Sequence, residues 1–590
     1  MTEFLIKTTD VGQHGDVTVF LQKILKAAKN TDEEKIIRFE KGEYHFYADF
    51  CPEKTLYASN TDSDRYPHKR AAIDISDIKN LVIDGGGSVF IMHGKMIAVN
   101  ITDSENIRLQ NFSWDFPTAG TLEMKVTDRG KLHTDFALPK SSQWEIKGNS
   151  ILWYEVSPFT GQKYWCNKGQ SDSHCVVVHD AVKHNVSRYP LSDGPFFMVR
   201  KIKRISENMV RIYYFKSVSK AHKKGRIFEM CTSYKRDCVG AFFGESKNIA
   251  VNNVNVHYMH GFSWLTQMCE NVSFIGCNFV PRKGADRFAT SFADHIHVSG
   301  AKGKIIIESC NFSNAHDDPI NIHGTYTRVK KMLSENSLLL EYVHNQQNGF
   351  KQYHVGDKVV FYLRENLEPF MNEREFTVKS VTDPLCDGNS VKEMKVEFTE
   401  DLPEELAEKN RYACENVTYT PEVYIGSCRF ELIPTRGILC TTRKKVLIEN
   451  NVFDGMTMAS IYLSNDCNDW YESGPIRDMT IRNNEFFIRK TPFKGVKSAI
   501  YIDPIVADNK GLCPQIHRNI KIENNVFHME HDNAVNARYC ENLTVKNNVI
   551  DILKTENSDE EIVPFILQHC ENAVIENNKY GAGIVFSENG

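Results

Sequence analysis

The chain has 590 residues, 41% of them hydrophobic, with a net charge of -5 and a pI near 6.5. That is enough to bury a large core, and it lacks the basic footprint that nucleic acid or an anionic membrane would need. Sixteen cysteines are scattered with neither Cys-x-x-Cys pairs nor Cys/His ligand spacing, so neither a zinc site nor a dense disulfide framework is indicated.

In chain order, Met1-Thr-Glu-Phe-Leu-Ile-Lys lacks the apolar core of a secretory signal, and no later apolar run reaches the roughly 18 residues of a membrane span. This start fits either a cytoplasmic protein or an exported one whose signal has been removed. Residues 16–28 carry apolar side chains at helical spacing behind Gly12 and Gly15. An amphipathic helix there would cover an open sheet edge. A short phrase then begins to repeat: Asn80-Leu-Val-Ile-Asp, Asn106-Ile-Arg-Leu-Gln-Asn, Asn248-Ile-Ala-Val-Asn-Asn and Asn271-Val-Ser-Phe-Ile-Gly-Cys-Asn-Phe. It continues from Lys304, Val423, Val446, Met479, Asn519, Asn542 and Asn572. Each unit is a short alternating strand, a polar corner and an apolar anchor, at a spacing too short for a strand-helix-strand unit of about 30 residues. The economical reading is a right-handed parallel β-helix.

Aligned on their corners, Cys277, Cys310 and Cys428 share a column with Asn451, Asn484, Asn525, Asn548 and Asn578. Stacked corner residues explain those cysteines better than metal ligation or disulfides do. Phe279, Phe312, Phe430, Phe453 and Phe527 form the next column, an internal aromatic stack. Two stretches break the rhythm, at about 117–234 and 325–421, and both are rich in short strands that read as small inserted β-barrel modules. The expected fold is therefore all-β: a right-handed parallel β-helix with an N-terminal capping helix and two inserted small β-barrel modules. Its expected divisions are 1–116, 117–234, 235–324, 325–421 and 422–590.

The chemistry concentrates before the second insertion. Ala293-Asp-His-Ile-His-Val-Ser-Gly300 recurs as Asp317-Asp-Pro-Ile-Asn-Ile-His-Gly324, which puts Asp294 and Asp318 on equivalent places of adjacent coils. Stacked strands lie about 4.8 Å apart, so Asp294, Asp317 and Asp318 should gather at one spot, where like charges raise one another's pKa. Ile296, Val298, Ile320 and Ile322 are expected to point inward and His295, His297, Asn321 and His323 outward. Carrying the register to neighbouring coils puts Trp264 in the column of His297 and Arg436 in that of His295. His316 flanks the aspartates, and Trp470 and Glu472 lie in a loop that could cap the site, as could Tyr501 and Asp503. Rings, amides and a guanidinium around carboxylates make a sugar subsite. Inverting cleavage of a glycosidic bond needs one protonated and one ionised carboxyl about 6.5–9.5 Å apart. On this reading Asp294 and Asp318 hold the water, and Asp317, kept protonated by its neighbours, is the acid.

With the cap, the twice-interrupted coils and the segments Phe292-Ala-Asp-His-Ile-His and Ala315-His-Asp-Asp-Pro-Ile-Asn-Ile-His-Gly, the sequence resembles glycoside hydrolase family 110, the exo-acting α-1,3-galactosidases. The resemblance implies an inverting enzyme without metal or other cofactor. It implies a substrate with terminal α-1,3-linked galactose, such as blood group B glycans and linear α-1,3-galactosyl structures. It carries the catalytic role onto Asp294, Asp317 and Asp318, and it favours export to the periplasm or cell surface. Flat coil faces and two protruding modules are compatible with a homodimer. One alternative is a polygalacturonase-like inverting hydrolase, but its Gly-His-Gly and Arg-x-Lys segments are missing from the expected places. A pectate lyase would need clustered carboxylates for calcium and an arginine base. A non-catalytic tailspike-like β-helix would bind glycans without cleaving them.

Overall fold

The computed structural model describes residues 2–169, 175–231, 235–491, 495, 498–507, 513–553 and 562–581. The expected end of the first insertion at Tyr234 and of the last coils at Gly590 lie outside the described residues. Among the described residues no helix is long and apolar enough to cross a membrane.

One long, mostly parallel sheet winds through the chain as stacked coils. In its first wall Ile107, Ile249, Val272, Ile305, Val423, Val446, Met479, Ile520 and Leu543 pair in succession along one column. Every one of these side chains is buried, so a single apolar column is extended by each coil. Helix Thr18–Ala28 closes the open end with Leu21, Leu25 and Ala28 buried and Val19 and Phe20 in solvent.

The corner column forms a hydrogen-bonded ladder. Asn451 donates its backbone N–H to Asn484 Oδ1, Asn484 to Asn525 Oδ1, Asn525 to Asn548 Oδ1 and Asn548 to Asn578 Oδ1, at 2.9–3.0 Å. Cys277, Cys310 and Cys428 occupy the same column as buried free thiols, which identifies them as packing residues. The phenylalanine column is a continuous stack from Phe279 through Phe312, Phe430, Phe453 and Phe486 to Phe527, with ring centroids 4.6–5.1 Å apart.

Two antiparallel units project from the coils. The first comprises a seven-stranded sheet whose strands run from Leu122–Arg129 to Ile227–Met230, together with a three-stranded sheet, Gln143–Lys147, Ser150–Val156 and Lys163–Lys168. In the second, strands from Thr327–Ser334 to Tyr412–Asn416 close into a six-stranded barrel around Val329, Leu340, Phe361, Phe376 and Phe398. Both units flank the coil wall that carries the aspartates.

Candidate active site

The site is built on the wall where strand Trp264–Ile275 pairs with Ile296–Glu308, Ile296–Glu308 with Ile320–Thr325, and Ile320–Thr325 with Ile438–Cys440. The apolar residues Ile296, Val298, Ile320 and Ile322 point inward, as the alternation requires, and are wholly buried. Because Ile296 pairs with Ile320 and Ile320 with Ile438, the residues two places earlier, Asp294, Asp318 and Arg436, stack in successive coils. Asp317 precedes Asp318 and reaches the same spot, and one oxygen from each of the three carboxyl groups lies within 4.8 Å of the others.

A cavity of about 340 Å³ opens over this cluster. Of the expected residues, Asp294, His297, Asp317, Asp318, Asn321, Arg436, Trp470 and Glu472 line it. Arg188, Arg236 and Asn60 line it too, and nothing in the local sequence marked them. Arg188 arrives on strand Asn185–Pro190 of the first projecting unit and Arg236 from the chain returning from it. Arg188 Nη2 donates to Asp317 Oδ1 at 3.3 Å, Arg236 Nη2 lies 3.7 Å from Asp317 Oδ2, and Arg436 Nη2 lies 3.8 Å from Asp317 Oδ1. Arg436 also grips Asp318 through both prongs, Nε to Oδ1 at 3.0 Å and Nη2 to Oδ2 at 2.5 Å.

These contacts divide the carboxyl groups. Burial, reinforced by the charges of Asp317 and Asp318, lifts Asp294 well above the ordinary carboxyl range. Burial pushes Asp317 upward as well, but Arg188, Arg436 and Arg236 outweigh it and hold this carboxyl below its ordinary value. Burial lifts Asp318 although Arg436 pulls it down and Asp317 adds to the lift. The two-pronged contact with Arg436 favours the Asp318 anion. Three guanidinium groups, two of them from outside the coil, thus favour the anion of Asp317, while burial favours the proton on Asp294, opposite in direction to the expectation for Asp317.

The capping loop is held by Asp466, whose carboxylate accepts the backbone N–H groups of Asn468, Asp469 and Trp470 at 2.6–2.8 Å. A short antiparallel pairing sets Glu472 against Thr325 and Ser473 against Gly324. Trp470 is thereby presented over the cavity, with His344 from the barrel packed against it at 4.4 Å, the rings tilted by 31°, and Arg236 over its ring at 5.4 Å. Glu472 accepts from Asn60 Nδ2 at 3.2 Å and Asn321 Nδ2 at 3.4 Å. Tyr462 and Thr441 complete the wall. Tyr501 lies behind it, stacked on Tyr462 at 5.4 Å, with Asp503 accepting its hydroxyl.

Four expected positions differ. Trp264 pairs with Ile296, not His297, whose true neighbour is Leu265. It points into the coil, 0% exposed, with Trp114 4.8 Å away. His295 is also inside, its ring 5.0 Å from that of Phe279 and 5.8 Å from that of Phe312, and hydrogen-bonded to Thr290 Oγ1 at 2.8 Å. It lies one residue before the strand begins, so period-2 parity does not reach it, and Arg436 belongs to the column of Asp294 rather than to its own. His316 does not line the cavity; its Nδ1 is 2.5 Å from the buried Glu229. His323 faces outward from the coil as expected but is covered, and it contacts His297 and Glu472 instead of the cavity. Trp264→Ala is accordingly expected to lower stability by about 3–5 kcal/mol, read as an earlier denaturant midpoint, with KM unchanged. A raised KM at unchanged stability would contradict this placement.

No family model matches the chain. It is similar to solved structures such as the A-module of the Azotobacter vinelandii mannuronan C-5 epimerase AlgE4, at 9% identity and a TM-score of 0.39 over 98% of both chains. Its sequence is 34% identical over 568 residues to the alpha-1,3-galactosidase A of Peterkaempfera griseoplana, covering 93% of this chain and 76% of that protein. It is 33% identical over 573 residues to the alpha-1,3-galactosidase A of Bacteroides thetaiotaomicron, covering 96% of this chain and 94% of that protein. A β-helix with a carboxyl cluster under a sugar-sized cavity, matched by such relatives over 93–96% of its length, belongs to the α-1,3-galactosidase family of glycoside hydrolases.

Proposed function

We propose that the chain removes terminal α-1,3-linked galactose from glycans such as the blood group B determinant and linear α-1,3-galactosyl chains, with inversion. In this reading Asp294 protonates the leaving oxygen while Asp317 and Asp318 activate the attacking water. The observation that carries it is the cluster of three carboxyl groups whose nearest oxygens lie within 4.8 Å, with three guanidinium groups around Asp317, since carboxyls in such unequal surroundings separate into acid and base.

That spacing is shorter than the roughly 6.5–9.5 Å usual for inversion. Direct displacement is supported instead by what the anions touch. Both oxygens of Asp318 are held by Arg436, and guanidinium groups face both oxygens of Asp317. These contacts draw charge away from both carboxylates and weaken them as nucleophiles, while each oxygen keeps a lone pair with which the two can orient one water. A pocket rather than a long groove suits removal of a chain-terminal sugar. The arginine charges are opposed by Asp317, Asp318 and Glu472, so a uronate carboxylate would find no unpaired cation.

An α-1,3-galactosyl disaccharide, a blood group B trisaccharide and polygalacturonate, assayed side by side, test the substrate. Galactose is expected from the first two, with or without chelator, and no sugar from the third. Uronate release, or no release from either galactoside, would overturn the assignment.

A further inference from the structure

We infer that the first projecting unit carries a second, non-catalytic binding groove, shaped and charged for an acidic polysaccharide chain. Residues 117–234 hold 19 lysines and arginines against 10 aspartates and glutamates, although the whole chain carries -5. Part of this local excess surrounds one concave feature. A cavity of about 680 Å³ is lined by the turn between strands Met209–Tyr214 and Ile227–Met230 and by the segment 189–198, and a second of about 280 Å³ adjoins it, sharing Tyr189 and Arg226. Lys216, Lys220 and Lys223 line the first, and Lys183 and Lys490 the second. All five are exposed, and among the described residues no carboxylate lies within ion-pair distance of any of them. Arg226 is paired with Asp180 at 2.9 Å. Unneutralised like charges around one groove focus a positive potential there, which an anionic ligand relieves.

The lining suits a sugar chain better than a bare phosphate polymer or a bilayer. Ser192, Ser217 and Asp193 stand among the cations, so the groove has acceptors for sugar hydroxyls as well as donors for acid groups. A phosphodiester backbone offers acceptors only, and Asp193 repels it. Phe197 and Met198 expose apolar surface at the same place, which fits the less polar faces of sugar rings. A bilayer is flat and does not enter a concave groove. The groove also lies close to the chemistry. Tyr189 and Arg188 are neighbours on strand Asn185–Pro190 and point to opposite faces, Tyr189 to this groove and Arg188 to the catalytic cavity. A polysaccharide held here therefore runs along the back of the strand that supplies Arg188, which keeps the enzyme near glycan ends carried on or among such chains.

Titration of the full chain with heparin, which carries sulfates and carboxylates, with polygalacturonate, which carries carboxylates alone, and with neutral dextran tests the groove. One or both acidic chains should bind, more weakly as salt is raised, and dextran should not; the pattern separates sulfate from carboxylate recognition. Free galactose, a ligand of the catalytic cavity on the proposed function, should not displace the acidic chain. An exposed ion contact changes affinity by a factor of a few at most, so Lys216→Ala, Lys220→Ala and Lys223→Ala combined should weaken binding by about tenfold. Lys331→Ala, Lys395→Ala and Lys409→Ala combined remove the same charge from exposed positions of the barrel and should leave it nearly unchanged. No binding of either acidic chain, equal loss in the two triple variants, or displacement by galactose would overturn the inference. So would tighter binding to phosphatidylglycerol vesicles or single-stranded DNA than to either polysaccharide.

Discussion

Asp294→Asn is expected to lower kcat/KM on an α-1,3-galactosyl disaccharide by about 10²–10⁴-fold, the usual contribution of a general acid. A dinitrophenyl galactoside, whose leaving group needs no proton, should lose far less. The same variant should change the pH profile. On the proposed division of roles, activity needs Asp317 and Asp318 ionised, so it should be lost as pH falls through their values. It also needs Asp294 protonated, so it is lost as pH rises through the value that burial and the neighbouring aspartates have lifted. Asparagine cannot titrate, and the alkaline limb should vanish. Equal slowing of both substrates would show that position 294 does not deliver the proton.

Arg436→Met is expected to reduce stability as well as activity. Asp318 is 2% exposed and both its oxygens are engaged by this guanidinium. Removing one partner of such a pair typically costs about 3–5 kcal/mol, because a charge is left buried without compensation. The variant can relieve this by protonating Asp318, which raises its folded pKa above the unfolded value. Its stability relative to wild type should then be best below about pH 4 and fall as pH rises toward neutrality. Denaturant midpoints at pH 4 and pH 7 measure the difference, and Arg436→Met combined with Asp318→Asn should recover most of the loss at pH 7. A loss independent of pH and unrelieved by the second substitution would mean that Arg436 acts by packing alone.

Much of this was legible in the sequence, because a β-helix repeats its physical problem at every coil. A corner that must satisfy the same backbone groups selects Asn or a small thiol each time, and the coil interior selects Phe, so the columns through Asn484 and Phe453 identified themselves. Asp294 and Asp318 were found by the same repetition. What failed was parity near strand ends and under cover. His295 lies in a bend before its strand, and Trp264 and Leu265 are both apolar and both buried, so alternation could not fix which faced inward. A sheet covered on both faces loses the polar side that sets the register. Arg188, Arg236 and Asn60 reach the cavity from more than 50 residues away in the chain, and only tertiary packing brings them there. Their absence from the sequence reading hides the cations around Asp317: beside Asp318 alone it is a repelled carboxyl, while three guanidinium groups favour its anion.

In the proposed reaction Asp294 acts as acid while Asp317 and Asp318 direct a water onto the sugar in a single displacement. Proton NMR of the galactose first released from an α-1,3-galactosyl disaccharide, recorded before mutarotation, tests this most directly. The β anomer should appear first and the α anomer only as the two equilibrate. If α-galactose is the initial product, a carboxylate has bonded to the sugar, and the division of roles among the three aspartates drawn here is wrong.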